Sequence, residues 1–363
     1  ATRVNENGLI EEVASNVPRL DYSDGGCPSL LLERTATNFA VYSEAISTSY
    51  STNNLTQTPN YGISPDGNLT STRAVLDNLT DSRTSFNNTS LVNGTEYTFS
   101  AYYKGVIGQT TYMYFLSSAG GVNASKEIVF NGQWQRESIT FTAGSANNFT
   151  YIIDARQGAS TATDFEVWGV QVEQNSYSTS YIKTVGTAQS RSADTANGAG
   201  NASTFNDSSG VLFWEGNYFE DKQGNGRRIS IINSDTSITN RLALTVGDVL
   251  GQIRVYVQGN NAFKNLTYVP QNILEHMKIA IYYDSINCKM IINGFEVDSD
   301  TVGDSFIGLD TLRFAGKYGG NNFEGNTKQI QYFDSALNDS ELEKLTSWTS
   351  FTAMANALNY TII

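Results

Sequence analysis

The chain is poor in the residues from which most catalytic centres and most stapled scaffolds are built. Among its 363 residues there are two cysteines, Cys27 and Cys288, and a single histidine, His276. Two thiols so far apart cannot frame a disulfide-stapled secreted fold, so both are expected as free, mostly buried groups. One histidine supports neither a serine or cysteine triad nor a zinc site of the usual nitrogen and sulfur type. Its neighbours, Leu274-Glu275-His276-Met277, place it instead at the entry to a strand. No glycine-rich phosphate loop is present, so phosphoryl transfer lacks its parts. No run approaches the roughly 18 apolar residues of a membrane span, and the opening residues lack the regions of a signal peptide, so membrane insertion is not expected. Runs of Lys and Arg are absent too. With 36 acidic against 23 basic residues the formal charge is −13, which repels a phosphate backbone, so nucleic acid is not an expected partner.

What is abundant points to β structure. The 20 Tyr, 18 Phe and 31 Gly stand beside only 5 Pro, and Asn, Ser and Thr fill the gaps between apolar runs. A length of 363 residues at 39% hydrophobic content supports two cores. In Glu96-Tyr97-Thr98-Phe99-Ser100-Ala101-Tyr102-Tyr103 the alternation puts Tyr97, Phe99, Ala101 and Tyr103 on one face of a half-buried strand. Phe149-Tyr151-Ile153 alternates in the same way. Across Phe165 to Val172 the apolar phase shifts at Gly169, as a β-bulge produces. Asn293-Gly294 joins Lys289-Met290-Ile291-Ile292 to Phe295-Glu296-Val297, the signature of a type I′ hairpin. Near the end, Asn338 is placed to cap a helix, with Glu341 completing a capping box and Leu337 and Leu342 a hydrophobic staple, so a short helix should run to about Ser347.

The fold class that follows is all-β: two tandem antiparallel β-sandwiches of jelly-roll type with a short C-terminal helix. The expected divisions are a leader over residues 1–38, a sandwich over 39–184, a linker over 185–209 and a second sandwich over 210–363. The leader carries short apolar runs, Leu9-Ile10 and Leu30-Leu31-Leu32, too few for a core of its own, so it must pack on something else. The 185–209 stretch is poor in large apolar side chains, as a linker is. The two halves share no repeat.

Three stretches resemble segments of bacteriophage and prophage fibre proteins. The opening, from Ala1-Thr2-Arg3-Val4-Asn5 through Cys27-Pro28-Ser29-Leu30-Leu31-Leu32-Glu33, resembles a leader that precedes modules of those proteins inside a longer chain. The middle is similar to their carbohydrate-binding-module-like jelly rolls, on Ile63-Ser64-Pro65-Asp66-Gly67, Trp134-Gln135-Arg136, Trp168-Gly169-Val170-Gln171-Val172-Glu173 and Tyr181-Ile182-Lys183-Thr184. The last third, with the Asn293-Gly294 hairpin and Tyr332-Phe333-Asp334-Ser335-Ala336-Leu337, looks like a concanavalin A-like or laminin G-like domain. One step departs from the family: a proline-containing step is usual before Arg-Thr-Asn, where this chain reads Arg34-Thr35-Ala36-Thr37-Asn38.

The resemblance implies a non-enzymatic virion fibre or adhesin subunit, of head or tail, that binds host-surface or environmental glycans. It implies a place on the virion surface after assembly in the bacterial cytoplasm, docking to other virion proteins through the leader, and a homo-oligomer, by analogy a trimer. Two other readings stay open: a polysaccharide depolymerase or its carbohydrate-binding appendage, and a purely structural decoration protein.

Aromatics near polar side chains are the candidates for sugar contact: Tyr112, Tyr114, Trp214 and Tyr318, with Asn321 and Asn322 to meet hydroxyls. Most aromatics in a sandwich pack the core, and Trp134 and Trp168 are expected there. Glu296, Asp298 and Asp300 alternate as a glucanase-like carboxylate triplet would. If Phe295 and Val297 face the core, however, the carboxylates sit on a solvated edge. No cofactor is expected beyond calcium, a hard cation for which Asp298, Asp300 and Asp304 are the candidate ligands.

Overall fold

The computed structural model describes all residues except 89, 159, 225, 236–238, 260, 261, 303–305 and 349–363. Its secondary structure is almost wholly antiparallel strands, with the helix Asp339–Thr346 near the end. The chain forms two compact units. One comprises Ala1–Gly25 and Thr35–Ser192, the other Gly26–Arg34 and Ala193–Ile363. The segment read as a leader therefore contributes to both units. The 185–209 stretch carries two short strands: Gln189–Arg191, paired with Ala36–Asn38, and Asn197–Ala199, paired with Thr311–Arg313.

In the first unit one sheet orders its strands Gln135–Thr142, Glu96–Gly105, Asp164–Glu173, Thr72–Leu76 and Leu55–Thr58. The facing sheet orders Ala124–Val129, Thr110–Ser117, Asn148–Asp154, Arg83–Asn87 and Ser51–Asn53. Tyr97, Phe99, Ala101 and Tyr103 point inward and are fully buried, as their alternation requires. They meet Met113, Phe115 and Ile128 from across the sandwich, and Phe141 from the neighbouring strand of their own sheet. The bulge falls where the phase shift placed it: pairing slips between Ser100 and Tyr102, opposite Gly169, whose φ of 66° favours glycine.

Trp168 lies on the outer face of its sheet, opposite Tyr102, yet the indole is fully buried. It is covered by the opening hairpin, Thr2–Val4 paired with Ile10–Glu12. Ile10, Trp168 and Tyr181 form a small core of their own, with Val4, Tyr102 and Trp134 against it. The early apolar residues do pack on something else, the back of this sheet. Elsewhere a second bulge, between Tyr151 and Ile153, corrects the expected alternation of Phe149-Tyr151-Ile153. Ile152 and Ile153 both reach the core, while Phe149 and Tyr151 are ring neighbours 6.2 Å apart.

In the second unit a six-stranded sheet orders Asn197–Ala199, Thr311–Arg313, Arg227–Ile232, Arg241–Val246, Ile253–Gln258 and Phe263–Tyr268. It faces a sheet ordered Phe295–Thr301, Asn287–Ile292, Met277–Tyr283, Gly210–Tyr218, Gly325–Phe333 and Ser29–Leu32. The unbroken run Val211-Leu212-Phe213-Trp214 is buried on both faces, which is why it does not alternate. Leu212 and Trp214 enter the main core. Val211 and Phe213 meet Leu342 of the helix. The helix is capped as its sequence indicates, Asn338 and Glu341 forming a full capping box and Ser347 ending it. The Asn293-Gly294 hairpin also forms, with φ of 50° and 90°. One expectation about thiols fails: Cys288 is buried, and burial pushes it up to about 11, but Cys27 is exposed.

Candidate functional site

On the first unit, inward Tyr103 and Phe165 leave Lys104 and Glu166 on the outer face of their sheet. The register sets Lys104 opposite Glu166 and Glu166 opposite Arg73, so three charged side chains form one row across three strands. Lys104 Nζ lies 3.9 Å from the Glu166 carboxylate. Arg73 forks onto Asp164, its Nε donating to Oδ1 at 2.8 Å, and that bidentate pairing holds the Asp164 carboxyl below its usual range. The Ser71 hydroxyl donates to Glu166 at 2.5 Å.

An aromatic ring stands at each end of the row. Trp134 is half-buried, and its indole N–H donates to the Ile63 carbonyl at 2.9 Å. Lys104 Nζ is 5.9 Å from its ring centroid. At the other end Tyr61 is 49% exposed, and the Arg73 guanidinium sits 4.9 Å from its centroid. Gly62 lets this loop lie close, because a Cβ there would strike the Glu166 carboxylate. A cavity of about 360 Å³ runs between Trp134, Tyr102, Lys104, Ile63, Pro65 and Leu9. A second, of about 230 Å³, continues past Lys104 to Tyr61, Asp164 and Glu166. The result is a groove with aromatic ends and a row of charged donors and acceptors between them. That combination suits a ligand with apolar C–H faces and a rim of hydroxyls.

A larger hollow, about 680 Å³, lies on the other side of the opening hairpin and is lined by Glu11, Glu12, Glu44, Asp66, Lys183 and Arg191, among others. Its polar groups are largely engaged with one another. Tyr181 donates to Glu44 at 2.9 Å and Lys183 reaches the same carboxylate at 2.9 Å. Tyr181, the one aromatic in its lining, is 5% exposed.

The sequence candidates scatter. Tyr112 and Tyr114 are on the opposite sheet of the first unit. Tyr112 donates its hydroxyl to Glu127 at 2.8 Å, and Tyr114 pairs with Tyr151 at 5.8 Å. Trp214 is corrected outright: it is 1% exposed, its ring lies 5.3 Å from Tyr218, and its N–H donates to Thr327 at 2.9 Å. A ring with no open face cannot stack on a sugar. Tyr318, Asn321 and Asn322 do come together, on one loop of the second unit beside Arg228. Arg228 donates its backbone N–H to the Asn321 carbonyl. Trp134, expected in the core, instead lines the groove. Tyr61 and Lys104 were not singled out in the sequence at all, and only the register that sets Lys104 beside Glu166 could have found them.

The carboxylate triplet does not share a face. Pairing slips between Met290 and Ile291, so Asp298 lies opposite Met290 and Glu296 opposite Ile291, residues that point to opposite sides of the sheet. Glu296 pairs with Lys289 at 3.1 Å, while Asp298 accepts from the Thr267 N–H at 2.7 Å. Phe295, expected to face the core, is 72% exposed because it stands just past the hairpin turn. Of the calcium candidates, Asp300 pairs with Lys264 at 3.1 Å and Asp304 lies outside the described residues. Among the described residues no three His, Cys, Asp or Glu side chains are grouped to hold a metal ion. His276 is at a strand entry as expected, its Nε2 3.0 Å from Glu215.

No family model matches the chain, and no curated protein matches it. Solved structures similar to part of it include the CBM40 of the Ruminococcus gnavus IT-sialidase bound to α2,3-sialyllactose. That match has 13% identity and a TM-score of 0.34, and covers 42% of this chain and 94% of that one. Another is the NanB sialidase of Streptococcus pneumoniae, with 15% identity and a TM-score of 0.34, covering 42% of this chain and 28% of that one. A third is the leech intramolecular trans-sialidase, with 16% identity and a TM-score of 0.35, covering 43% and 27%.

Proposed function

We propose that this chain is a non-catalytic, glycan-binding subunit of a bacteriophage fibre, and that the groove from Trp134 to Tyr61 holds the sugar. The observation that carries the binding reading is the row Lys104, Glu166 and Arg73 set between two partly exposed aromatic rings. Arg73 is held by its fork onto Asp164 and Glu166 by the Ser71 hydroxyl, so these two members of the row are fixed before a ligand arrives, which lowers the ordering cost of binding. The virion reading rests on the fibre-like stretches in the sequence, and it carries with it docking to other virion proteins and a symmetric homo-oligomer, by analogy a trimer.

Two measurements on the full chain test this. In a glycan screen the wild-type chain binds at least one neutral oligosaccharide, and Trp134→Ala weakens that binding by about 2 kcal/mol, roughly thirtyfold, as loss of a buried aromatic anchor does. Unchanged binding by Trp134→Ala, with melting temperature retained, places the sugar elsewhere. Mass spectrometry of purified particles should find the chain in fixed ratio to a known capsid or tail protein; its absence from particles ends the virion reading.

A further inference from the structure

We propose that the outer face of the six-stranded sheet in the second unit is a separate binding site for an acidic sugar, one bearing a carboxylate or a sulfate ester. The site is centred on Tyr256 and ringed by Arg228, Arg241 and Arg254. It goes beyond the groove on the first unit, which is proposed to hold a neutral sugar.

The alternation of three neighbouring strands creates the face. Ile229, Leu242, Leu244, Val255 and Val257 turn into the core, so Arg228, Arg241, Arg254 and Tyr256 turn out. Their guanidinium carbons lie 5.6 Å, 5.1 Å and 5.8 Å from the Tyr256 ring centroid. Three cations thus share one ring in a protein whose net charge is −13. Like charges this close repel, more strongly where solvent is reduced. Burial, and then Arg228, hold the Arg241 guanidinium below its usual value.

Among the described residues the neutralising charge at this face is one carboxylate. Asp248 pairs with Arg228 at 2.9 Å and accepts from the Tyr256 hydroxyl at 2.6 Å. Among the described residues no carboxylate lies within ion-pair distance of Arg241 or Arg254. With 36 acidic side chains in the sequence, an opposing acid at this face was readily obtainable. Leaving two guanidinium groups unmatched fits a site whose missing anion arrives with a ligand. A planar guanidinium fork matches a carboxylate or a sulfate with two parallel hydrogen bonds.

The borders of the face suit a sugar. Phe263 is 49% exposed and stacks on Tyr256 at 5.5 Å. Tyr318 is 66% exposed and lies near enough to Arg241 to bear on its charge. Asn321 and Asn322, on the same loop, flank Arg228. A nucleic acid would supply anions too, but its extended polyphosphate would meet the acidic remainder of the protein, whereas one acidic sugar needs only this patch.

Calorimetric titration of the full chain with a heparin oligosaccharide, an oligogalacturonate and neutral dextran tests the proposal. Binding of at least one acidic probe is expected, weakening as salt is raised, while dextran fails to compete for it. Arg254→Ala, and separately Arg241→Gln, should each weaken it tenfold or more with the melting temperature retained. Arg254→Lys, which keeps the charge and loses the fork, should fall between. Preference for heparin identifies a sulfate as the group read, and preference for oligogalacturonate a carboxylate. The proposal is overturned if neither acidic probe binds, if the variants bind as the wild type does, or if single-stranded DNA binds more tightly than either sugar. The neutral-glycan screen above is scored separately, so failure of one site is not mistaken for failure of the other.

Discussion

Trp168→Ala is expected to lower the stability of the first unit by about 3–5 kcal/mol, the cost of deleting a fully buried indole. The ring is 0% exposed, packs on Tyr181 at 4.4 Å and Tyr102 at 5.5 Å, and donates its N–H to Thr70 at 3.1 Å. For a unit of this size the loss corresponds to a fall in melting temperature of roughly 10 °C. The physical reason is specific to this site. Trp168 lies on the back of its sheet, and what buries it is the hairpin Thr2–Val4 with Ile10–Glu12. Hydrogen exchange should therefore show the hairpin amides losing protection before those of the sandwich core. Trp168→Phe, which keeps much of the apolar area and loses the bond to Thr70, should cost less. A hairpin that stays protected in Trp168→Ala would mean that its own pairing, and not this ring, holds it.

The second large effect is expected from Glu220→Ala. Glu220 accepts from both Arg34 and Arg227, and the Glu220 and Arg227 side chains are only 6% and 5% exposed. Glu324 completes the cluster, 3.3 Å from the Arg227 Nε. Removing Glu220 takes away the carboxylate that Arg34 and Arg227 share, at a place where the Arg227 side chain is only 5% exposed. Breaking a buried pair in this way costs about 3–5 kcal/mol. Urea unfolding should show a lower midpoint for the second unit with an unchanged slope. Replacing Glu220 and Arg227 together by apolar residues of similar size should recover much of the loss, because no stranded charge remains. If the single variant melts like the wild type, water reaches the cluster and the pairs contribute little.

What could be read from the sequence was whatever local chemistry decides by itself. Alternation fixed the inner face of Glu96–Gly105, a single glycine marked the bulge at Gly169, Asn293-Gly294 dictated its turn, and Asn338 with Glu341 marked the helix start. Each depends on a few adjacent residues. Failures came where a distant partner decides the outcome. Phe149-Tyr151-Ile153 alternates cleanly, yet a bulge redirects it, and no residue type there announces one. Leu30-Leu31-Leu32 reads as apolar but carries no sign that it will pair with Gly325–Phe333. Trp214 and Trp134 look alike in sequence; one is sealed between sheets and the other opens on a groove. The sequence has no Lys/Arg run, but charge gathers across strands as well as along them. Arg228, Arg241 and Arg254 are more than ten residues apart, and only sheet register brings them to one ring. Of the candidates on the 318–322 loop, Asn321 and Asn322 lie against the backbone of Arg228.

The division of the chain has a consequence for how the protein can be taken apart. The backbone passes between the two units three times, after Gly25, after Arg34 and after Ser192, where beads on a string would be joined once. Neither unit is a contiguous stretch. Cutting the gene at any one codon frees no intact half: a fragment beginning at Thr35 would leave Trp168 bare, and one beginning at Ala193 would lack the strand Ser29–Leu32. For the same reason, after a single proteolytic nick at Ser192 the two fragments stay joined through the pairing of Ser29–Leu32 with Gly325–Phe333.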